Sequence, residues 1–115
     1  MTDIKLADNL IILDGAVNVG LLRNGDKGLL IDCCDSVTPE RLAALGVQHI
    51  DRILFTQHRR PNTSGAYAFL EAGTRLIAPE NERYLFEMET TEWGKPAHFI
   101  DRAVLFIFTK YRDII

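Results

Sequence analysis

The sequence predicts an α/β (α+β) domain, with an antiparallel strand hairpin at the front and helices alternating with strands behind it. Three observations predict it. Short apolar runs, "NLIILDG", "VNVGLLR" and "GLLIDCC", fill most of residues 9–34. A strong turn signal, Asn24-Gly25, separates the second run from the third. From Thr38 onward the pattern reads helix, strand, helix, strand, helix, which is how a partly parallel sheet covered by helices is written.

Each element has a local cause. "NLIILDG" is a strand ending at Gly15, and the next two runs flank "NGDKG", whose Asn-Gly step favours a tight hairpin turn. Thr38-Pro39-Glu40-Arg41 supplies an N-cap with proline at the first helical position, Leu42 and Leu45 form the apolar stripe, and Gly46 stops the helix. "IDRILFT" is a short strand in which Ile50, Ile53, Leu54 and Phe55 point to burial on both faces. "SGAYAFLEAG" reads as a helix capped by Thr63 or Ser64 and stopped by Gly73. "RLIA" is the following strand, and Pro79 with the polar "EN" begins a helix through "ERYLFEME". A loop at "GKP" leads to "AVLFIF", the most apolar strand. Ile114 and Ile115 end the chain with no closing element, so truncation at the C terminus is expected, the alternative being a last strand that finishes the sheet.

Composition narrows the function classes. At 115 residues, 47% hydrophobic and 25% charged, the chain suits one folded domain rather than a disordered segment. A formal charge of -3 provides no general field for a nucleic-acid backbone, so no nucleic-acid partner is expected. The acidic start "MTDIKLADNL" does not read as a secretory signal, and no apolar stretch approaches the about 18 residues that span a bilayer. A cytoplasmic location without membrane contact is the expectation. Cys33 and Cys34, the only cysteines, are adjacent and form no disulfide framework. Strand alternation would send one inward and leave the other as an oxidisable thiol.

The chemistry-bearing stretch is "FTQHRRPNTSGA", residues 55–66. A loop at the carboxyl end of a buried strand, leading into a helix, is a favoured place for a site in an α/β protein. Zinc needs several convergent ligands, and this loop offers only His58. Arg59 and Arg60 repel a cation, Pro61 has no ligating atom, and Gln57 and Asn62 are weak neutral donors. A mononuclear site would have to join His58, His98 and a carboxylate such as Asp32. Without metal, His58 could serve as a general base beside Ser64 and Asp32, or beside Cys33 or Cys34. The candidate catalytic residues are therefore His58 and Asp32. Arg59 and Arg60, with Asn62 and Ser64 at the helix start, could hold a phosphate or carboxylate. Plainer roles are a surface ion pair with Asp35 or Asp51 for an arginine, a helix cap for Ser64, and a solvated helix face for Glu80, Glu82, Glu87, Glu89 and Glu92.

The run from "NVGLLRNGDKGLLIDCCD" through "IDRILFTQHRRPNTSGA" resembles the amino-terminal half of the metallo-β-lactamase superfamily. That family begins with a strand hairpin, an apolar strand closing in Ile-Asp-x-Gly, and a strand carrying His-x-His-x-Asp-His. The resemblance covers roughly residues 10 to 90 and implies half of an αββα metallo-β-lactamase-like sandwich, with residues 1–115 as a single domain. Thr56 fits the threonine before the motif, and Asp32 the aspartate of Ile-Asp-x-Gly, with Cys34 in place of its glycine. Gln57, Arg59, Pro61 and Asn62 stand where the four metal ligands would be, and His58 falls on a spacer. The family would imply zinc, iron or manganese. These residues imply no metal and no cofactor.

Two functional classes follow. One is a fold member without the first ligand cluster, lacking hydrolase activity and acting by binding or assembly. The other is a metallo-hydrolase of thioesters or related esters, built from atypical ligands or completed by a missing half. Phe86, Trp93, Phe99, Phe106 and Phe108 concentrate aromatic area in the last third. In a half-domain part of that area is a partner surface, so a homodimer, or a partner chain covering the open half, is expected.

Overall fold

The computed structural model describes residues 3–86 and 106–109. The loop at 94–96, His98, Glu87, Glu89, Glu92, Trp93, Phe99, the side chains of Phe106 and Phe108, and Ile114 with Ile115 lie outside the described residues. Among the described residues, seven strands form one mixed sheet in sequential order: β1 (Ile4–Ala7), β2 (Leu10–Leu13), β3 (Val19–Asn24), β4 (Lys27–Ile31), β5 (His49–Leu54), β6 (Arg75–Pro79) and β7 (Phe106–Thr109). The first four strands pair antiparallel and the last four parallel. The expected hairpin is therefore present as β3 and β4, joined at Asn24↔Lys27. Its two-residue loop is Gly25-Asp26, one position later than the Asn-Gly signal centres it. Gly25 has φ +64, which a residue without a Cβ adopts at no steric cost.

The N-terminal strand β1 carries no sequence signal. All four of its residues are exposed, so neither alternation nor burial marks it; its pairing to β2 makes it a strand. Helix α1 (Pro39–Ala44) forms as its caps predict. Thr38 Oγ1 accepts from the Arg41 backbone N–H at 3.1 Å, and Leu42 is buried. The second helix differs from expectation. A short helix α2 (Arg60–Thr63) begins inside the motif loop and runs into a 3₁₀ helix over Ser64–Ala72, ended by Gly73. Neither Thr63 nor Ser64 caps it through its side chain. Thr63 Oγ1 turns back onto the Arg59 carbonyl at 3.4 Å, because Pro61 already sits within a helical turn and starts the helix earlier. After β6 the chain makes a 3₁₀ turn at Glu80–Glu82 and residues 83–86 are helical.

One face of the sheet carries the core. Ile11, Leu13, Val19, Leu21, Leu30, Ile50, Ile53 and Leu76 pack with Leu42 and Val47 near α1, Phe69 of the 3₁₀ helix, and Phe55 and Phe86. Burying each of these large side chains stabilises the fold by about 1.5–3 kcal/mol relative to exposure. The other face is also apolar. Leu10, Ile12, Leu29, Ile31 and Leu54 are half-buried there, and Leu22 is 37% exposed.

Both cysteines face inward, which corrects the expected alternation. Cys33 and Cys34 are 0% and 1% exposed. They lie past the end of β4, where the chain has left strand geometry, so the two-residue period no longer sorts them. Cys33 Sγ approaches the Val37 carbonyl, and Cys34 Sγ lies 3.3 Å from Ser36 Oγ.

Candidate functional site

The carboxyl ends of β4, β5 and β6 converge at the motif loop. Asp32 follows β4 directly, with a backbone φ of 64. That left-handed conformation costs a non-glycine residue about 1–2 kcal/mol. Three donors offset it. Thr56 N–H donates to Asp32 Oδ1 at 2.8 Å, while Thr56 Oγ1 and Asn62 Nδ2 donate to Oδ2 at 2.7 and 2.9 Å. Hydrogen bonds to a charged group contribute about 1.5–3 kcal/mol each, so the network outweighs the strain. Asp32 is 5% exposed and Asn62 6%. The backbone repeats the tie: Asp32 N–H donates to Leu54 O and Cys33 N–H to Asn62 O. Asp32, Thr56 and Asn62 thus clamp the end of β4 to the loop after β5.

His58 stands in a second, separate group. Its backbone N–H donates to Glu82 Oε1 at 3.1 Å, and its Nδ1 lies 3.0 Å from the same oxygen. The Phe86 ring meets the imidazole edge-on, at 6.5 Å between centroids and 72° between planes. Phe86 in turn packs on Phe55. The sequence pattern places Glu82 on a solvated helix face; the structure makes it the partner of His58. A parallel neighbour relation between β5 and β6 brings their following loops side by side, and only that pairing reveals it.

The remaining candidates scatter. Arg59 and Arg60 are exposed on the loop surface, Ser64 is half-buried where α2 meets the 3₁₀ helix, and Asn62 is turned inward onto Asp32. Asp51, named as an ion-pair partner for them, instead pairs with Arg75 at 2.9 Å and Arg52 at 3.1 Å. The Arg75 hydrogen bond holds the Asp51 carboxyl below the usual carboxylate range. It belongs to the N-terminal half of β5, away from the motif loop. Among the described residues, no three or more His, Cys, Asp or Glu side chains come together as a metal would require.

The two thiols differ electrostatically. Burial pushes Cys33 far above the usual thiol range, and the neighbouring Cys34, Asp35 and Asp32 add to it. Burial also opposes ionisation of Cys34, but hydrogen bonding at Ser36 and at the backbone of Val17, Ser36 and Ala16 outweighs it and lowers the thiol. A raised folded value means that the Cys33 contribution is fully present below the ordinary thiol range and is lost as pH rises above it. Urea midpoints measured across alkaline pH should therefore fall less steeply in Cys33→Ala than in the parent. Equal slopes would remove Cys33 from the account.

No family model matches the chain. No curated protein matches it either. Solved structures do. The chain is similar to BJP-1, a subclass B3 metallo-β-lactamase of Bradyrhizobium japonicum, with a TM-score of 0.59 and 24% identity. That match covers 72% of this chain and 34% of BJP-1. It is also similar to VMB-1, with a TM-score of 0.56 and 19% identity over 79% of this chain and 48% of VMB-1. The fold is part of a metallo-β-lactamase fold, and the chain spans about a third to a half of these neighbours.

Proposed function

We propose that this chain is a metallo-β-lactamase-fold protein without the first metal-ligand cluster, which acts by binding or assembly and not by metal-dependent hydrolysis. The observation that carries the reading is the state of Asp32. Both of its oxygens are taken by Thr56 and Asn62. At the motif positions, Asn62 is spent on that carboxylate, Gln57 is a weak neutral donor, Arg59 is a cation and Pro61 has nothing to offer. These residues do not fit zinc, iron or manganese, which need deprotonated or lone-pair donors converging on one point. The loop keeps its architecture through hydrogen bonds that a metal site would need for its ligands.

Assembly is supported by the half-buried apolar sheet face and by β1, an edge strand on which Ile4 and Leu6 are 54% and 60% exposed. Unpaired edges and apolar faces favour a second layer, from a homodimer or a partner chain. The decisive experiment is elemental analysis of the purified, tag-free chain after exposure to zinc, manganese and iron, with thioester and lactam hydrolysis measured on the same samples. The expected result is no stoichiometric metal and no metal-dependent turnover. Retention of one tightly held metal per chain would overturn the reading and favour a hydrolase with atypical ligands.

A further inference from the structure

Beyond binding or assembly, we propose a second, metal-free activity: His58 is an acyl-accepting nucleophile whose Nε2 takes the acyl group of an activated ester or thioester, with Glu82 as its positioning residue. The geometry of the pair sets this up. A carboxylate can only accept hydrogen bonds, so the 3.0 Å contact to Glu82 Oε1 requires the proton on Nδ1. In the neutral ring the lone pair then belongs to Nε2. Among the described residues His58 hydrogen-bonds to Glu82 alone, and no buried side-chain nitrogen or oxygen lacks a partner. Nε2 is therefore open to solvent, in a side chain that is 24% exposed.

Orientation is equally constrained. Glu82 Oε1 binds both the backbone N–H and the ring of His58, and Phe86 lies against the ring edge. An imidazole held in one tautomer and one orientation loses less freedom on attacking a carbonyl than a mobile surface histidine. None of this uses Asp32 or Ser64, the partners that sequence reading offered to His58.

The step balances without a cofactor. Nε2 attacks the acyl carbon, an N–C bond forms, and the C–O or C–S bond breaks with departure of the alkoxide, phenolate or thiolate. The Nδ1 proton passes to the Glu82 carboxylate, leaving a neutral acyl-imidazole. Water then cleaves the N–C bond: its hydroxyl ends on the carboxylic acid, Glu82 returns a proton to Nδ1, and the proton of water goes to solvent. One ester and one water give one acid, one leaving-group anion and one proton.

The test treats the full chain with p-nitrophenyl acetate, once without and once with a chelator, and maps acetyl groups by peptide mass spectrometry. His49, half-buried in β5, serves as the internal reference. His58 should be acetylated faster than His49 by about tenfold or more, a modest share of what positioned acid–base groups contribute. His58→Gln should lose the corresponding p-nitrophenolate release. Glu82→Gln should lower His58 acetylation and move the ring toward the Nε2-protonated tautomer in long-range ¹H–¹⁵N spectra, with Glu82→Asp intermediate. Equal labelling of the two histidines, labelling that disappears on chelation, or an unchanged rate and tautomer in Glu82→Gln would each overturn the proposal. The first two results are read on the parent chain, so misfolding of a variant does not blunt the test. Because the chelated arm is read separately, its outcome is independent of the metal analysis.

Discussion

Asp32→Ala should lose about 4 kcal/mol of stability in urea unfolding, a large share of what a domain of this size possesses. The substitution removes one carboxylate and strands three donors: the Thr56 N–H, the Thr56 hydroxyl and the Asn62 amide. The buried Asn62 amide left without a partner costs about 1–3 kcal/mol, and the two Thr56 donors, on an exposed residue, lose less because water reaches them. A second penalty comes from the backbone, because alanine gains nothing at the φ of 64 that Asp32 adopts. Asp32→Asn separates these contributions. Its amide oxygen can still accept, while its NH₂ would face donors, so it should fall between alanine and the parent. A loss below about 1 kcal/mol for Asp32→Ala would mean that water replaces the carboxylate, and that the clamp is not what holds the loop.

Gly65→Ala should be the next most damaging change, at about 3 kcal/mol, the upper end of what overpacking by a methyl group costs. Gly65 N–H donates to the Cys33 carbonyl at 2.9 Å, which presses the start of the 3₁₀ helix onto the strand-end segment. A Cβ there would overlap the Cys34 carbonyl and crowd that of Cys33. Both are backbone atoms, and neither can rotate away. Gly25→Ala is the matched control. It has the positive φ but nothing within 4 Å of the added Cβ, so it should cost only about 1 kcal/mol. Thermal unfolding of the two variants should show Gly65→Ala melting well below Gly25→Ala. The reverse order would show that the contact relaxes and that φ dominates.

The network around Asp32 explains why the motif loop keeps its form without the residues that the resemblance would place in it. The sequence marks Thr56 as a feature of the resemblance and Asp32 as a catalytic candidate, but it does not show their mutual hydrogen bonds. They lie 24 residues apart and meet because β4 and β5 run parallel, with Ile31 opposite Leu54 at their carboxyl ends. Residue type suggests Asn62 as an anion ligand, and burial against Asp32 assigns it a different job. Glu82 looked like any helix-face acid until the β5–β6 pairing laid its turn beside His58.

By itself the sequence determined the local elements: the hairpin at Gly25, the Thr38 cap of α1, the Gly73 stop and the strand-helix alternation. These depend on short-range sterics and periodicity, which a chain carries in neighbouring residues. It also determined what the motif loop cannot supply, since ligand chemistry is a property of residue type. Tertiary structure alone decided the exposed edge strand β1, the inward turn of both cysteines, the early start of the helix at Arg60 and the pairing of His58 with Glu82. Each of these depends on which segments lie side by side, and parallel strands join loops that the sequence keeps far apart.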